Sequence, residues 1–394
     1  MVNQNNPNFQ NLKSPFITLC MFKKLFGVLF PCLLSILYFG CVDPVAPEYI
    51  FIGDQIIIEG LASSISGTSY VTINQTSSDF GIYRNLFQEG ATVSFTNVDT
   101  GQTFLLEERE DVYVPSDDFT VKPGESWELD VVLADGRNYK SRPETVIEPV
   151  EVSEIRAEYN KELIFREDSG KFVPGHSILV DFDDPPSKKN YYFWRFRSFE
   201  RQTYCEVCYG GNFRDGECKP DNTGLSGYYF VYYCEQNCWR IRFNENIEIF
   251  DDKFSDGTYI RKLPVGNVLL YNKEDILVQL EQVSVSYDAY EYYKRLKDIV
   301  DNNGNFDAPP PSAVVGNIFN PGNADEIILG RFTAAAASQA SIFIERGQIL
   351  EDMIESTLDP ISETDPPYRP NITTAPCNES RTRTAIRPEG WIGN

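Results

Sequence analysis

Histidine is almost missing from this sequence: His176 is the single one among 394 residues. One imidazole cannot build a zinc site of several histidines, and the motif His-Glu-x-x-His does not occur. A Ser-His-Asp triad would have to use His176, yet no Gly-x-Ser-x-Gly turn accompanies it, and no phosphate-binding or dinucleotide-binding glycine motif occurs either. We therefore predict a non-enzymatic protein without a cofactor, and we place His176 in a solvent-exposed turn beside Gly175.

Basic residues are also scarce. The chain has 35 lysines and arginines against 58 aspartates and glutamates, which gives a formal net charge of -23. A surface of this sign repels phosphate backbones, so we exclude nucleic acid as a partner. It repels anionic lipid headgroups equally, so attachment to a membrane requires a covalent anchor. The simplest interpretation of the excess acid is solubility.

Long hydrophobic runs are missing too. The longest run, Leu25–Phe39, spans about 15 residues, whereas a helix needs about 20 apolar residues to cross a bilayer. Lys23 and Lys24 precede the run, and Gly40-Cys41 follows it. A charged start, a short apolar stretch and a small residue before a cysteine are typical of a bacterial lipoprotein signal peptide.

This N-terminus predicts where the protein resides. Cleavage before Cys41 makes it the first residue of the mature protein, and its thiol is the group that accepts a diacylglycerol. An uncleaved membrane anchor with an incidental cysteine is the alternative. Because Met21 opens a signal peptide of ordinary length, we expect residues 1–20 to be a non-native start and residues 1–40 to be removed. Residues 41–50 are predicted to form an extended tether to the folded body.

Six cysteines follow Cys41: Cys205, Cys208, Cys218, Cys234, Cys238 and Cys377. An even number in an oxidising compartment favours disulfides, up to three, with fifteen connectivities open. Five of them fall in the glycine-rich loop 205–238, where cross-links would replace a hydrophobic core. The Cys205-x-x-Cys208 and Cys234-x-x-x-Cys238 spacings leave zinc as an alternative, and a thioredoxin-like redox role for the first spacing is a third.

The remaining sequence is rich in strand-forming residues, with 22 Tyr and 27 Phe. Residues 51–147 show short alternating segments separated by Pro, Gly and Asp turns, a pattern typical of an immunoglobulin-like β-sandwich. The segment 143–149 is the predicted boundary to a larger β-rich domain, residues 148–394. The sequence therefore predicts a mainly β protein, closed by strands at Ile327–Phe332 and Ala340–Ile344.

One helix is predicted in the second domain. Apolar residues recur at helical spacing from Ala289 to Val300, and either Ser286 or Asp288 is placed to cap the first turn. The tail after residue 355 is rich in Pro and Thr, so we expect an irregular segment held by Cys377.

Two turns carry clustered carboxylates. Their residues are Asp181, Asp183 and Asp184 in the first turn, and Asp251, Asp252 and Asp256 in the second. Oxygen-rich turns can bind calcium, although aspartate also stabilises turns that bind nothing. Paired carboxylates could also serve a glycosidase, provided that two of them lie at the required separation.

An aromatic run is the other candidate binding feature. It contains Tyr228, Tyr229, Tyr232 and Tyr233, and Tyr191, Tyr192 and Trp194 form a second aromatic group. Aromatic faces stack on sugars and anchor protein interfaces. Alternating aromatic residues equally fill the core of a sandwich, so both interpretations stay open.

Several short segments occur in an order shared with a known family: Ile58–Gly60, Gly90–Val93, Leu133–Ser141, Tyr192–Arg195, the cysteine loop ending in Cys238-Trp239, Val283–Tyr290, Gly316–Ile318, Leu329–Phe332 and Pro388–Trp391. In this order the chain resembles lipoproteins of Bacteroidetes-type bacteria grouped as domain of unknown function 4249. The resemblance implies a lipid-anchored protein of the outer membrane, accessory to a TonB-dependent transporter. It brings no catalytic or binding residues with it.

The sequence thus favours a non-enzymatic binding or accessory module of the cell envelope, attached to the membrane through lipid on Cys41. A structural or adhesive envelope protein is the second hypothesis. A carbohydrate-active enzyme that uses the two aspartate clusters is the third.

Overall fold

The computed structural model describes residues 55–79, 82–166, 169–220, 229–302, 314–354 and 372–393. The predicted signal peptide, Cys41, the tether and Tyr228 lie outside these residues, as does most of the tail after residue 355. Strands dominate the described chain and one α-helix occurs in it, so the prediction of a mainly β protein with one helix is confirmed. The immunoglobulin-like assignment and the domain bounds 51–147 and 148–394 stay predictions.

The first ten strands are β1 (Ile56–Ser63), β2 (Tyr70–Asp79), β3 (Ile82–Phe87), β4 (Thr92–Asn97), β5 (Thr103–Leu105), β6 (Glu107–Arg109), β7 (Val112–Val114), β8 (Ser126–Val132), β9 (Asn138–Ser141) and β10 (Glu144–Thr145). One sheet contains β1, β2, β3, β6 and β7, and a second contains β4, β5, β8, β9 and β10. Successive side chains of a strand point to opposite faces, so Trp127, Leu129 and Val131 of β8 are all buried in the core that the two sheets share.

The later strands are β11 (Val152–Arg166), β12 (Lys171–Asp183), β13 (Tyr191–Arg201), β14 (Tyr204–Tyr209), β15 (Gly211–Arg214), β16 (Glu217–Pro220), β17 (Tyr229–Cys234), β18 (Trp239–Phe243), β19 (Glu248–Asp251), β20 (Tyr259–Leu269), β21 (Ile276–Ser284), β22 (Ile318–Phe319), β23 (Phe332–Ala335), β24 (Ala337–Ile344), β25 (Thr374–Ala375) and β26 (Arg383–Thr384). The sheet β11-β12-β20 and the sheet β24-β21-β13-β18-β26 share a second core that includes Val180, Trp194 and Leu280.

The helix α1 (Tyr287–Asn302) follows β21. Its N-terminal cap is Ser286, whose Oγ accepts a hydrogen bond from the backbone N–H of Ala289 at 3.2 Å. Ser286 is one of the two residues predicted for this position, and serine is a preferred cap. The helix packs on the β24-β21-β13-β18-β26 sheet through its aromatic face, where Tyr293 stacks on Phe193 of β13 with ring centroids 4.4 Å apart.

The C-terminal part of the chain returns to the first two sheets. Strand β23 pairs in parallel with β1, and β22 pairs with β9, so both sheets gain an edge strand from beyond residue 314. Ala336 alone separates β23 from β24, and β24 pairs with β21. One extended segment, residues 332–344, therefore belongs to a sheet of the first core and to a sheet of the second.

The predicted strand Ile327–Phe332 begins later than expected, at Phe332. Residues before it make isolated bridges, such as Leu329 with Ile57, because Gly330 has φ +95 and interrupts the extended backbone. Such a conformation is open to glycine and strained for other residues.

A buried polar cluster lies where these segments meet, and we call it the Glu144 junction (Glu144, Ser286, Asn317 and Arg331). The Glu144 carboxylate accepts hydrogen bonds from Arg331 Nη2, from Asn317 Nδ2 at 3.1 Å and from Ser286 Oγ at 3.2 Å. The Asn317 side chain also donates through Nδ2 to the carbonyl oxygen of Phe332 and accepts through Oδ1 from the N–H of Phe332. Burial raises the pKa of the Glu144 carboxyl, and the positive charge of Arg331 opposes that rise.

The close approach at Gly330 gives a stability prediction. A Cβ added there would lie 2.0 Å from the carbonyl oxygen of Ile58, so Gly330→Ala must displace β1 or the segment beside it. We expect Gly330→Ala to lower the free energy of unfolding by at least about 3 kcal/mol, from overlap and backbone strain together. Denaturant titration of the purified protein measures this loss.

The matched control is Gly124→Ala. Gly124 also has a positive φ, +87, but its added Cβ would meet nothing within 4 Å. This variant should lose only about 1 kcal/mol, the cost of the backbone conformation alone. Equal losses in the two variants would show that the contact with β1 does not constrain residue 330.

Candidate functional site

All six cysteines after Cys41 are paired in the structure. The disulfides are Cys205–Cys234, Cys208–Cys218 and Cys238–Cys377. The predicted disulfide framework is therefore confirmed, with the connectivity that the sequence left open. A cysteine in a disulfide offers no thiolate, so the spacings that resemble zinc ligands have another explanation here.

These disulfides hold together a small cysteine module, which comprises residues 204–220, 229–238 and 374–377. Its interior contains Phe213 and Tyr232 packed among the cystines. The tail joins it through β25, which pairs in parallel with β17, and through Arg383 Nη1, which donates to the carbonyl oxygen of Cys205 at 2.8 Å. The expected pinning of the tail by Cys377 is thus observed.

The cysteine module buries one face and exposes the other. Tyr232 is fully buried, and its hydroxyl accepts a hydrogen bond from the N–H of Phe213. The exposed aromatic strip consists of Tyr204, Tyr209 and Tyr233, together with the exposed aliphatic side chain of Val207. Core packing and surface exposure therefore both occur within the aromatic run: Tyr232 fills a core and Tyr233 lies on the surface. The side chain of Tyr229 is outside the described part of the chain.

One acidic cluster combines members of the two predicted turns. Carboxylate oxygens of Asp184, Asp252 and Asp256 lie within 4.8 Å of one another. Asp184 accepts hydrogen bonds from the hydroxyl of Tyr192 and the N–H of Gly257. These bonds tie the two turns to each other, which is the ordinary structural use of aspartate in turns. Calcium binding at this cluster stays a prediction.

The other predicted acidic residues lie elsewhere. Asp181 accepts hydrogen bonds from Arg156 Nη1 at 2.6 Å and from the N–H of Lys262 at 2.7 Å. The Arg156 hydrogen bond holds the pKa of Asp181 below its usual value. Asp183 is exposed, and Asp251 accepts a hydrogen bond from the hydroxyl of Tyr290.

The prediction for His176 is wrong. His176 lies within β12, is 5% exposed and pairs with Tyr159 of β11 and Val268 of β20. The neighbouring Gly175 does not mark a turn: a Cβ there would lie 2.6 Å from the carbonyl oxygen of Val268, so glycine permits a close approach between strands. Burial lowers the pKa of His176 to about 4, and the charge of Arg346 acts in the same direction.

A cleft of about 650 Å³ separates the first sheet from the second core, a volume ordinary for small-molecule sites. Tyr70 of β2 and Val112 of β7 lie on one wall. The opposite wall comes from β13 and β18, and the third side is the turn before β26. Strand alternation builds the β13 wall: its even-numbered residues fill the core, while Phe193, Arg195 and Arg197 line the cleft.

Four arginines line this cleft: Arg109, Arg195, Arg197 and Arg381. The lining also contains two acids, Glu110 and Glu379, and carboxylates outside the cleft pair with Arg109, Arg195 and Arg381. We call it the arginine cleft. Sequence reasoning missed it, although the Phe-Trp-Arg-Phe-Arg run of β13 contains the signal: charged residues alternate with aromatic core residues along one strand.

These features define a mainly β protein with two cores, a disulfide-bonded module and an arginine cleft. The family model described as domain of unknown function (DUF4249) matches residues 42–341. The chain therefore belongs to this family. Comparison with curated proteins and with solved structures gives no match. The matched range begins directly after Cys41 and ends before Cys377 and Arg381.

The described part of the chain contains no helix that is long and apolar enough to cross a bilayer.

The buried histidine gives a prediction for pH dependence. Between pH 6.5 and about 4 the unfolded chain protonates this imidazole while the folded chain does not, so folding stability falls as the pH falls through that range. A pKa difference of this size corresponds to about 3 kcal/mol. Urea titrations at several pH values should show that wild type loses about 3 kcal/mol more than His176→Phe between pH 6.5 and 4.

His176→Phe keeps an aromatic ring beside Tyr159 and removes the titration. Carboxylates that titrate in the same range affect both proteins, so the difference between the two curves isolates the histidine. Parallel curves would mean that the folded protein protonates His176 as readily as the unfolded chain does.

Proposed function

We propose that this protein is a lipid-anchored, non-enzymatic binding module of the bacterial outer membrane that acts as an accessory to a TonB-dependent transporter. The observation that carries the proposal is the position of Gly40-Cys41, at the end of a short apolar run and directly before the family region that starts at residue 42. A lipoprotein signal peptide ends where the mature protein begins, and the modified cysteine is the first residue of that mature protein.

The disulfides support export. Disulfides persist in oxidising compartments and are rare in a reducing cytosol. All six cysteines after Cys41 are paired, and the Cys238–Cys377 bond joins residues separated by 139 positions. Closing so long a loop restricts the unfolded chain strongly, which favours the folded state.

The exposed aromatic strip supports a protein partner. Tyr209 is 77% exposed and Tyr233 53% exposed, and the disulfide-bonded strands behind them hold both in place. Tyrosine is enriched at protein interfaces because its ring buries a large area at low entropic cost. The strip is therefore the surface that we assign to the transporter.

The acid cluster gives weaker support to the carbohydrate-active alternative. Asp184 and Asp252 both accept hydrogen bonds from Asn190, and Asp256 accepts one from the N–H of Ser187. A general acid or nucleophile needs a carboxylate that faces substrate, whereas these bonds direct the carboxylates at groups of the two turns, which they join to each other.

Membrane fractionation tests the anchor. In a host that processes bacterial lipoproteins, Cys41→Ser should move the protein from the membrane pellet to the soluble fraction, because serine has no thiol to acylate. The matched control is Cys32→Ser, the same substitution inside the apolar run, which should leave the protein in the membrane. Intact mass of the wild type should show acyl chains on residue 41. A free thiol there, or Cys41→Ser retained like the control, contradicts the proposal.

The same wild-type membranes test the partner. Affinity purification from solubilised outer membrane should recover a TonB-dependent transporter, identified by mass spectrometry. Tyr209→Ser should reduce that recovery severalfold, because it removes the most exposed ring of the aromatic strip. Recovery of no transporter by the wild type contradicts the accessory role and leaves the result for the anchor standing.

A further inference from the structure

The arginine cleft concentrates guanidinium groups in an acidic molecule. The chain as a whole carries -23, yet four arginines and two glutamates line this one cavity. Arg197 is the one lining arginine that makes no ion pair among the described residues. Guanidinium groups are planar forks that match carboxylate and phosphate oxygens. A cavity with this lining is chemically suited to an anion. Which arginines could bind it depends on which of them already have their hydrogen bonds and ion pairs within the protein.

Arg195 is largely satisfied within the protein. Its Nε lies 3.1 Å from Glu281 Oε2, and its guanidinium lies 5.3 Å from the centre of the Tyr70 ring. Glu281 is buried and pairs directly across from Arg195 in the sheet. We therefore assign Arg195 a structural part in the cleft wall.

Arg197 is in a different position. It makes one long side-chain hydrogen bond, from Nη2 to Gln279 Oε1 at 3.3 Å, and a cation–π contact with Phe199. Its Nε is buried and has no hydrogen-bond partner among the described residues. A buried donor without a partner is costly, and a ligand oxygen in the cleft would supply what is missing.

Arg381 lies close to Arg197. Phe243 of β18 pairs directly across from Arg197 of β13, so their side chains share a face, and the guanidinium of Arg381 lies 5.1 Å from the centre of the Phe243 ring. Arg381 has one loose ion pair, 3.7 Å from Asp111, and its charge also acts on the carboxyl of Glu59. Arg197 and Arg381 are thus both neighbours of Phe243 and both line the cleft.

We propose that the arginine cleft binds a small organic anion, whose carboxylate or phosphate group is held by Arg197 and Arg381 and whose ring packs against Phe193 and Phe243. The cleft contains apolar wall residues beside the arginines, as required for a ligand with an apolar body. This inference names the ligand class of the binding module proposed above and rests on that role, but it does not depend on the lipid or the transporter.

The net charge of the chain does not prevent such binding. At 0.15 M ionic strength the Debye length is about 8 Å, so distant surface acids are screened from the cleft. Arginines in direct contact with the ligand are screened far less because they are partly buried. Affinity therefore depends on the cleft residues themselves.

The test uses detergent-purified full-length protein, with benzoate and phenyl phosphate as probes. Ligand-observed NMR titration should give saturable binding of at least one of them, with a dissociation constant on the order of 1 mM, as expected for fragments of this size. Benzamide has the same ring without the negative charge and should bind roughly tenfold more weakly. Inorganic phosphate supplies the charge without the ring and should also bind more weakly than phenyl phosphate.

Two variants test the residues. Arg197→Gln should weaken binding of the preferred probe roughly tenfold or more, since it removes a charge-assisted hydrogen bond. Arg381→Gln should have a similar effect, and because this side chain is 41% exposed the variant is the safer one for folding. The control is Arg137→Gln, which removes the same charge from an exposed turn outside the cleft and should bind like wild type.

Four results would overturn the proposal: no saturable binding of either probe, benzamide bound as tightly as benzoate, inorganic phosphate bound as tightly as phenyl phosphate, or both cleft variants binding like Arg137→Gln. Each of these is independent of membrane fractionation. Failure of the anchor and failure of the ligand site are therefore distinguishable.

Discussion

The buried ion pair between Glu144 and Arg331 is the interaction on which the rest of this structure depends. It connects the end of the first set of strands to the segment that leads into β23, and Ser286 and Asn317 complete its hydrogen bonds. Ser286 is also the helix cap, and Asn317 and Arg331 directly precede β22 and β23. The Glu144 carboxylate therefore accepts hydrogen bonds from the residues at the start of three elements, α1, β22 and β23. Two buried charges are costly to desolvate, and their attraction and the hydrogen bonds to the carboxylate offset that cost, although Arg331 Nε has no hydrogen-bond partner among the described residues.

The consequences of this junction extend to the cleft. Because β23 and β24 form one segment with Ala336 between them, fixing β23 in the first sheet also fixes β24 and its neighbours β21 and β13 in a sheet of the second core. The arginine cleft is lined by β2 and β7 from the first sheet and by β13 and β18 from that sheet of the second core. The ion pair of Arg331 with Glu144 therefore helps to set the position of Arg197 on β13 relative to Tyr70 on β2, because it fixes the start of β23. Family segments 283–290, 316–318 and 329–332, far apart in sequence, all contribute to the junction.

Sequence patterns predicted the local structure well and the long-range structure poorly. Alternation predicted strands within residues 51–147, such as β8, and apolar residues at helical spacing from Ala289 to Val300 predicted the helix, because those signals lie in neighbouring residues. The pairing of Cys238 with Cys377 could not be deduced, since it depends on where distant strands lie. The prediction for His176 failed because a glycine such as Gly175 indicates either a turn or a close approach of two strands, and the sequence does not distinguish them. The arginine cleft escaped notice because its walls come from segments that are distant in sequence, around residues 70, 112, 195, 243 and 381.

A double-mutant cycle on Glu144 and Arg331 tests the central claim most directly. Each single variant, Glu144→Gln and Arg331→Met, should lower the free energy of unfolding by about 3–5 kcal/mol, because it leaves an unpaired buried partner. The double variant should lose less than the sum of the two, with a coupling of at least about 1 kcal/mol, measured by denaturant titration. Losses that add within about 0.5 kcal/mol would contradict the claim that this ion pair holds the two cores together.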